Sequence, residues 1–259
     1  MPKRETAPIG APCWVDLMIS DPDTIANFYG ELFGWTVDDP GPDYGGYKNF
    51  HLDGVPVAGF MQRQSGDGAP DFDFWTIYLA TDDAPRTVDA AAANGGQVFL
   101  PPTDVMELGR MAMVADPGGA AIGVWQPGLH KGFGIWGEPS SPAWFELQTR
   151  AYDASVQFYR DVFKWDTHVA SDTPELRYTT LGEGDGQLAG IMDASAFMPE
   201  GAPAGWSIYF GTEDEDAALE KIGKLGGATV EAAQDTPYGR LAVAADPTGA
   251  QFKLHQPNP

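Results

Sequence analysis

Residues 28–35 read Phe-Tyr-Gly-Glu-Leu-Phe-Gly-Trp, and residues 158–165 read Phe-Tyr-Arg-Asp-Val-Phe-Lys-Trp. The second stretch repeats the first 130 positions later, and a fixed offset of this kind is typical of an internal duplication. With one inserted residue, the offset also aligns further pairs: Trp14 with Trp144, Trp75 with Trp206, Tyr78 with Tyr209, and Asp116 with Asp246. The chain of 259 residues is therefore predicted to contain two copies of one domain.

The joint between the copies lies in residues 127–142, which are rich in Gly, Pro and Ser. We predict a first domain at 1–128, a linker at 129–139 and a second domain at 140–259. Each half is expected to have its own core. The linker is expected to accept insertions near residues 132–137, because surface loops tolerate added length. The alternative is that Phe133, Ile135 and Trp136 dock between the halves.

Within each copy the pattern indicates two similar modules. Residues 14–19 alternate like a strand, and Asp21 can cap a helix whose apolar residues recur at helical spacing up to Gly34. Short strands follow, and the order repeats from the strand at residues 75–80. The predicted fold class is α+β, with four βαβββ modules. Trp35 and Trp165, just after the helices, are predicted to lie in the core.

Composition excludes several classes of protein. The chain has 15 Lys and Arg against 37 Asp and Glu, a net charge of −22, so nucleic acids and anionic membranes are not expected partners. No apolar run approaches the ~18 residues of a membrane helix. The single Cys13 excludes an internal disulfide. We expect a cytoplasmic monomer or homodimer.

Two motifs carry a family resemblance. Phe28-Tyr29 with Leu32-Phe33-Gly34 has the copy Phe158-Tyr159 with Val162-Phe163, and Asp116-Pro-Gly-Gly-Ala has the copy Asp246-Pro-Thr-Gly-Ala. The chain resembles the vicinal oxygen chelate superfamily (glyoxalase I, bleomycin-resistance proteins and extradiol dioxygenases), and in particular the tandem glyoxalase-like proteins of actinobacteria. The resemblance implies that the four modules pair into two glyoxalase-like domains with curved mixed sheets. The concave side of each sheet would form a cup.

The resemblance also implies a metal held in each cup by His, Gln or Glu. The matching positions here are occupied by other residues: Trp14, Gly59, Trp75, Gly123, Trp144, Gly190, Trp206 and Lys253. None of these is an ordinary ligand of a divalent ion. We therefore predict no metal and no cofactor, and an aromatic cup that takes a small planar or aromatic ligand.

The predicted ligand-binding residues line the two cups and their rims: Trp14, Trp75, Trp125, Trp144, Trp206, Lys253, His255, Arg110 and Arg240. Lys253 would either anchor an anionic ligand or pair with Glu146. The two arginines would either anchor a ligand oxygen or form salt bridges with the turn acids Asp116 and Asp246.

Two carboxyl groups share the strand face of the tryptophans. Asp16 lies two residues after Trp14, and Glu146 lies two residues after Trp144. A carboxyl desolvated between indole rings would have a raised pKa and could act as an acid or a base. The alternative is a structural hydrogen bond to an arginine or a backbone amide.

Four functions remain open at this point. The leading one is metal-free binding of an aromatic molecule, for sequestration, resistance or a biosynthetic auxiliary role. The second is metal-independent acid–base catalysis by Asp16 or Glu146, as in an isomerase, a lyase or a hydroxylation-assisting protein. The third is a divalent-metal glyoxalase or dioxygenase with atypical ligands (Asp16, Glu146 and His255). The fourth is a protein with closed cups that acts through its surface.

Overall fold

The structure is a computed structural model that describes residues 5–63 and 71–258. The described part of the first half contains these elements: β1 (Pro12–Ile19), α1 (Pro22–Phe33), β2 (Thr36–Asp38), β3 (Lys48–Leu52), β4 (Val55–Gln62), β5 (Phe74–Ala80), α2 (Ala84–Ala93), β6 (Gln97–Val105), β7 (Gly109–Ala115) and β8 (Ala121–Pro127). The second half repeats them: β9 (Pro142–Thr149), α3 (Tyr152–Phe163), β10 (Thr167–Asp172), β11 (Arg177–Leu181), β12 (Ala189–Asp193), β13 (Gly205–Gly211), α4 (Glu215–Lys224), β14 (Ala228–Thr236), β15 (Gly239–Ala245) and β16 (Gln251–Gln256).

The residues predicted to begin and end the first helix do so in the structure. The Asp21 carboxylate accepts a hydrogen bond from the Thr24 amide at 3.1 Å and so caps α1. Gly34 ends the helix with φ at +74°, a left-handed conformation that favours glycine. The element order is βαβββ in each of the four modules, so the predicted α+β fold is confirmed.

Each half forms one mixed sheet around a central antiparallel pair. The strand order is β2-β3-β4-β1-β5-β8-β7-β6 in the first sheet and β10-β11-β12-β9-β13-β16-β15-β14 in the second. The first strands of the two modules, β1 and β5, are antiparallel neighbours, and each pairs in parallel with the last strand of its module. This order brings the functional positions of both modules to the middle of one face.

The two halves share one apolar core, so the expectation of two separate cores is wrong. The ring of Phe33 on α1 contacts Phe210 of the second sheet at 5.3 Å between centroids. Trp35 and Trp165 are buried, as predicted, but they join the halves. The Nε1 of Trp35 donates to the Ser140 carbonyl at 2.7 Å, and that of Trp165 to the Gly10 carbonyl at 2.8 Å.

The linker also departs from the expected surface loop. Phe133 and Ile135 are 2% and 1% exposed, and the Phe133 amide donates to the Cys13 carbonyl at 2.9 Å. Gly132 has φ at +104°, and a Cβ there would collide with the same carbonyl. Phe133 and Ile135 thus pack into the core, which is the alternative that the sequence left open.

An insertion between Gly132 and Phe133 is therefore expected to destabilise the protein. Displacing the Phe133 side chain from the core should lower the free energy of unfolding by ~2 kcal/mol or more, as deletion of one buried apolar side chain does. Urea unfolding of a variant with two added glycines measures this. The same insertion between the exposed Gly45 and Gly46 is the control, and equal losses at both places would contradict the buried linker.

Within the described residues, no helix is long and apolar enough to cross a membrane.

Candidate functional site

The face of each sheet opposite its helices carries the predicted tryptophan and carboxyl side chains. We call this face of the first sheet the first cup, with Trp14 and Asp16, and that of the second sheet the second cup, with Trp144 and Glu146. Register places Tyr78 of β5 opposite Trp14, and Tyr209 of β13 opposite Trp144. Opposite residues in an antiparallel pair share a face, so these tyrosines also lie in the cups.

Trp75 and Trp206 do not lie in the cups, so the prediction that they line a cup is wrong. Register sets Trp75 opposite Leu17, on the face covered by the helices. Its Nε1 donates to the hydroxyl of Tyr29 on α1 at 3.2 Å. Trp206 likewise donates to Tyr159 on α3 at 2.8 Å. A residue three positions from a cup tyrosine lies on the other face of the strand.

In the second cup, Glu146 is the centre of a hydrogen-bonded cluster. Its Oε1 accepts from Lys253 at 3.0 Å, from Tyr209 at 2.9 Å and from Gln148 at 2.9 Å. Its Oε2 accepts from the Tyr178 hydroxyl at 3.1 Å. Lys253 thus pairs with Glu146, one of the two alternatives that the sequence left open.

The phenols of this cluster act as donors. Burial and the neighbouring Glu146 carboxylate raise the pKa of Tyr178 and of Tyr209 well above their ordinary value. Both therefore keep their protons. Tyr178 in turn accepts a hydrogen bond from Trp144 Nε1 at 3.0 Å, which fixes the indole at the wall of the cup.

In the first cup the corresponding cluster is less complete. Asp16 Oδ2 accepts from the Tyr78 hydroxyl at 3.1 Å, but Oδ1 has no hydrogen-bond partner among the described residues. Gly123 and Met18 occupy the positions of Lys253 and Gln148, so a cation and an amide donor are replaced. Burial raises the pKa of Asp16 to about 7. This carboxyl can hold a proton near neutral pH.

The metal ion that the family resemblance implies does not fit either cup. A Cβ on Gly59 would collide with the hydroxyl of Tyr47, and one on Gly190 with that of Tyr178, so phenols fill the space of two ligand side chains. In the second cup the Lys253 ammonium lies against the carboxylate that would bind a cation. No group of three His, Cys, Asp or Glu in residues 5–63 and 71–258 could hold a metal ion.

The two arginines point away from the cups. Arg110 Nε donates to Asp104 at 2.6 Å, and Arg240 binds Asp216 of α4 and Asp235, both at 2.8 Å. Neither arginine lines the cavity of the second cup. Their prediction as ligand-binding residues is therefore wrong.

Salt bridges from these arginines to the turn acids were the other alternative, and they do not form either. The carboxylate of Asp116 instead accepts from the Ser155 hydroxyl at 2.7 Å, and that of Asp246 from the Tyr29 hydroxyl at 3.1 Å. Both turn acids thus connect the two halves, which the offset between the copies could not indicate.

The second cup encloses a cavity of about 550 Å3. Glu146 and Lys253 lie among its lining residues with Trp144, and His255 lines it while its Nε2 lies 2.9 Å from the Tyr238 carbonyl. Much of the remaining wall is apolar and comes from several strands and the loop after β14: Ala170, Leu176, Met192, Pro237, Leu241 and Val243. The predicted residue Trp125 lies instead in the first cup, buried, with its Nε1 donating to the His130 carbonyl at 3.0 Å.

Sequence reasoning missed the four cup tyrosines as a group. Tyr78 and Tyr209 were visible as a repeated pair, and Tyr47 and Tyr178 repeat at the same offset of 131. Gly59 and Gly190 are the second signal, because each leaves room for a tyrosine hydroxyl. A repeated Tyr together with a repeated Gly could have revealed the contact.

Loss of the cation from the Glu146 cluster is expected to destabilise the protein. Lys253→Met should lower the free energy of unfolding by ~2–3 kcal/mol, less than the 3–5 kcal/mol typical of a broken buried ion pair because three donors to Glu146 remain. The double variant Glu146→Gln with Lys253→Met should regain most of the loss. Urea unfolding measures both, with Lys221→Met on exposed α4 as the control. Equal stability of single and double variants would contradict the pairing.

Sequence comparisons identify relatives of full length. The model of the Glyoxalase/Bleomycin resistance protein/Dioxygenase superfamily matches residues 13–124 and 141–254. A Mycobacterium tuberculosis protein named "Putative glyoxylase CFP32" is 37% identical over 264 residues, covering 100% of this chain and 99% of its own. The anthracycline biosynthesis protein DnrV of Streptomyces peucetius is 37% identical over 267 residues, covering 95% and 92%.

Solved structures with the same fold are more distant in sequence. The Mn(II)-bound glyoxalase from Novosphingobium aromaticivorans has a TM-score of 0.64 and 14% identity, over 97% of this chain and 88% of its own. The 2,3-dioxygenase LapB from Pseudomonas sp. KL28 has a TM-score of 0.66 and 12% identity, over 99% and 94%. At this identity the likeness supports the fold.

Proposed function

Because this chain belongs to the Glyoxalase/Bleomycin resistance protein/Dioxygenase superfamily, we propose that it uses the cup of that fold to bind a planar aromatic small molecule without a metal ion. The ligand lies in the second cup. The observation that carries the proposal is the cavity of about 550 Å3, with a largely apolar wall and the Glu146–Lys253 pair among its lining. Ligand sites of this size, mostly apolar with a few placed polar groups, are typical of small-molecule binding proteins.

The polar groups suit a ligand that carries hydroxyl or carbonyl oxygens. The Lys253 ammonium has three donors, of which Glu146 and Tyr209 take two, so the third can bind a ligand oxygen. Oε2 of Glu146 can accept from a ligand hydroxyl beside Tyr178. The Trp144 indole offers a flat apolar surface beside them, and such ring contacts contribute roughly 0.5–1.5 kcal/mol beyond burial. A fused ring system with oxygen substituents satisfies both requirements.

Relatives support an auxiliary role in biosynthesis. Two of them, from Streptomyces peucetius and Streptomyces sp. strain C5, are named anthracycline biosynthesis proteins. Anthracyclines contain a planar fused-ring quinone, the class of molecule that the second cup would accommodate. The donor set of both cups supports the metal-independent form of the proposal, because Lys253 and the cup tyrosines take up the space of metal ligands.

Titration with 1,4-dihydroxyanthraquinone, a planar hydroxyquinone, tests the proposal. We expect quenching of tryptophan fluorescence, and Trp144→Ala should weaken binding about tenfold, or ~1.4 kcal/mol, without a matching loss of stability. Trp136→Ala removes a linker tryptophan outside the cavity and is the control. Equal affinity of the wild type and Trp144→Ala, or binding only after a divalent metal is added, would refute the proposal.

A second candidate function is proton transfer to or from the bound ligand by Glu146. It is favoured by the hydrogen bonds that Glu146 accepts from two protonated phenols and an ammonium, which place a charged carboxylate at the cavity. Glu146→Gln keeps the shape of the side chain and removes its charge. Turnover of a ligand that is lost in this variant while binding persists would support the enzyme; unchanged behaviour in both assays would support binding alone.

A further inference from the structure

The first cup is covered by the linker. The imidazole of His130 lies edge-on to the Trp14 ring, with 4.3 Å between centroids and an interplanar angle of 85°. It also lies 5.5 Å from the Trp125 ring. One side chain of the linker thus contacts both predicted ring-binding tryptophans of the first cup.

Backbone hydrogen bonds hold this part of the linker in place. The Leu108 carbonyl accepts from the amides of Gly128 at 2.8 Å and His130 at 3.0 Å. Three residues further along the chain, the Phe133 amide donates to the Cys13 carbonyl at 2.9 Å. Burial lowers the pKa of His130 to about 4, so the ring is neutral at physiological pH. The imidazole is a fixed, uncharged aromatic ring over Trp14.

The same positions in the second cup border open space. Trp144 corresponds to Trp14 and His255 to Trp125, and both line the cavity of about 550 Å3. All residues that line this cavity belong to the second half. The duplication therefore provides two copies of one tryptophan position. In the first cup this tryptophan contacts the imidazole of His130, and in the second cup it borders the cavity.

We propose that the first cup is a binding site for a five- or six-membered heteroaromatic ring that His130 of the same chain occupies, and that each chain therefore binds one external ligand, in the second cup. The ring of that ligand lies edge-on to Trp144, as His130 lies on Trp14. The orientation of a ligand on Trp144 rests on the proposed function. The occupation of the first cup by His130 does not rest on it.

The test is to empty the first cup and offer free imidazole. His130→Ala should lower the melting temperature, and millimolar imidazole, at a pH above its own pKa, should raise it again and change the tryptophan fluorescence. The wild type, whose first cup already holds His130, should gain less from imidazole, because only its second cup is open. His130→Phe keeps a ring over Trp14 and should behave as the wild type. His168→Ala, whose ring lies beside Asp166 and Glu183 in the second half, controls for loss of a histidine.

Each outcome decides the proposal. A folded His130→Ala protein that does not respond to imidazole overturns it. If His130→Ala does not fold, recovery on refolding with imidazole supports the proposal, and no recovery overturns it. Two molecules of 1,4-dihydroxyanthraquinone bound per wild-type chain would also overturn it. Failure of that quinone to bind the wild type would refute only the proposed function, because the imidazole test depends on the site that His130→Ala opens in the first cup.

Discussion

Replacing Trp35 by alanine is expected to lower the free energy of unfolding by about 3–5 kcal/mol, the range for removal of a buried Trp or Phe side chain. Trp35 is 4% exposed and contacts aromatic rings from both halves, including Phe50 at 5.1 Å and Phe210 at 5.4 Å. The variant also leaves the Ser140 carbonyl without its indole donor. Urea unfolding followed by far-UV circular dichroism measures the loss.

Trp35→Phe separates the two contributions. It retains most of the apolar ring but removes the hydrogen bond to Ser140, so its loss should be ~1–2 kcal/mol. Because other contacts between the halves remain, such as Phe33 with Phe210 and Trp165 with Gly10, unfolding of Trp35→Ala should remain a single transition. Two separate transitions, or a loss below ~1 kcal/mol, would contradict a shared core.

The repeated sequence predicted the fold well because local signals and the duplication agree. Asp21 and Gly34 act within one turn of α1, so their roles follow from neighbouring residues alone. Trp35 and Trp165 were correctly predicted to be buried because they directly follow amphipathic helices. Their hydrogen bonds to the opposite half, however, depend on how the two copies pack. No local pattern contains that information.

The cup residues were predicted only in part because strand alternation does not define register. Alternation places Trp75 and Tyr78 on opposite faces of β5, since they are three residues apart, but does not say which face is the cup. Pairing with β1, more than fifty residues away in sequence, places Tyr78 on the cup face, opposite Trp14. A shift by one residue would exchange the faces. Trp14 and Trp144 were placed in the cups because they match ligand positions of the resembled family and share their strand face with an acidic residue.

Replacing Asp16 by asparagine is expected to stabilise the protein at neutral and alkaline pH but not in acid. Burial raises the pKa of the folded-state carboxyl from its ordinary 3.8 to about 7. Between these values the folded protein binds a proton that the unfolded chain releases, so the contribution of Asp16 to stability falls as the pH rises through this window. Asparagine does not titrate and avoids this loss.

The stability difference between Asp16→Asn and the wild type should therefore grow from pH 4 to pH 7 and then level off. Three pKa units correspond to ~4 kcal/mol as an upper limit, at ~1.4 kcal/mol per unit. The asparagine amide lies where Oδ1 has no hydrogen-bond partner, and any stability lost for that reason does not change with pH. Asp116 and Asp246 titrate in both proteins, so their contributions cancel in the difference. Urea unfolding across this range measures the difference, with Asp82→Asn on the surface as the control. A difference that is independent of pH would mean that Asp16 is ionised in the folded protein, and its desolvation in the first cup would then be too small to hold a proton.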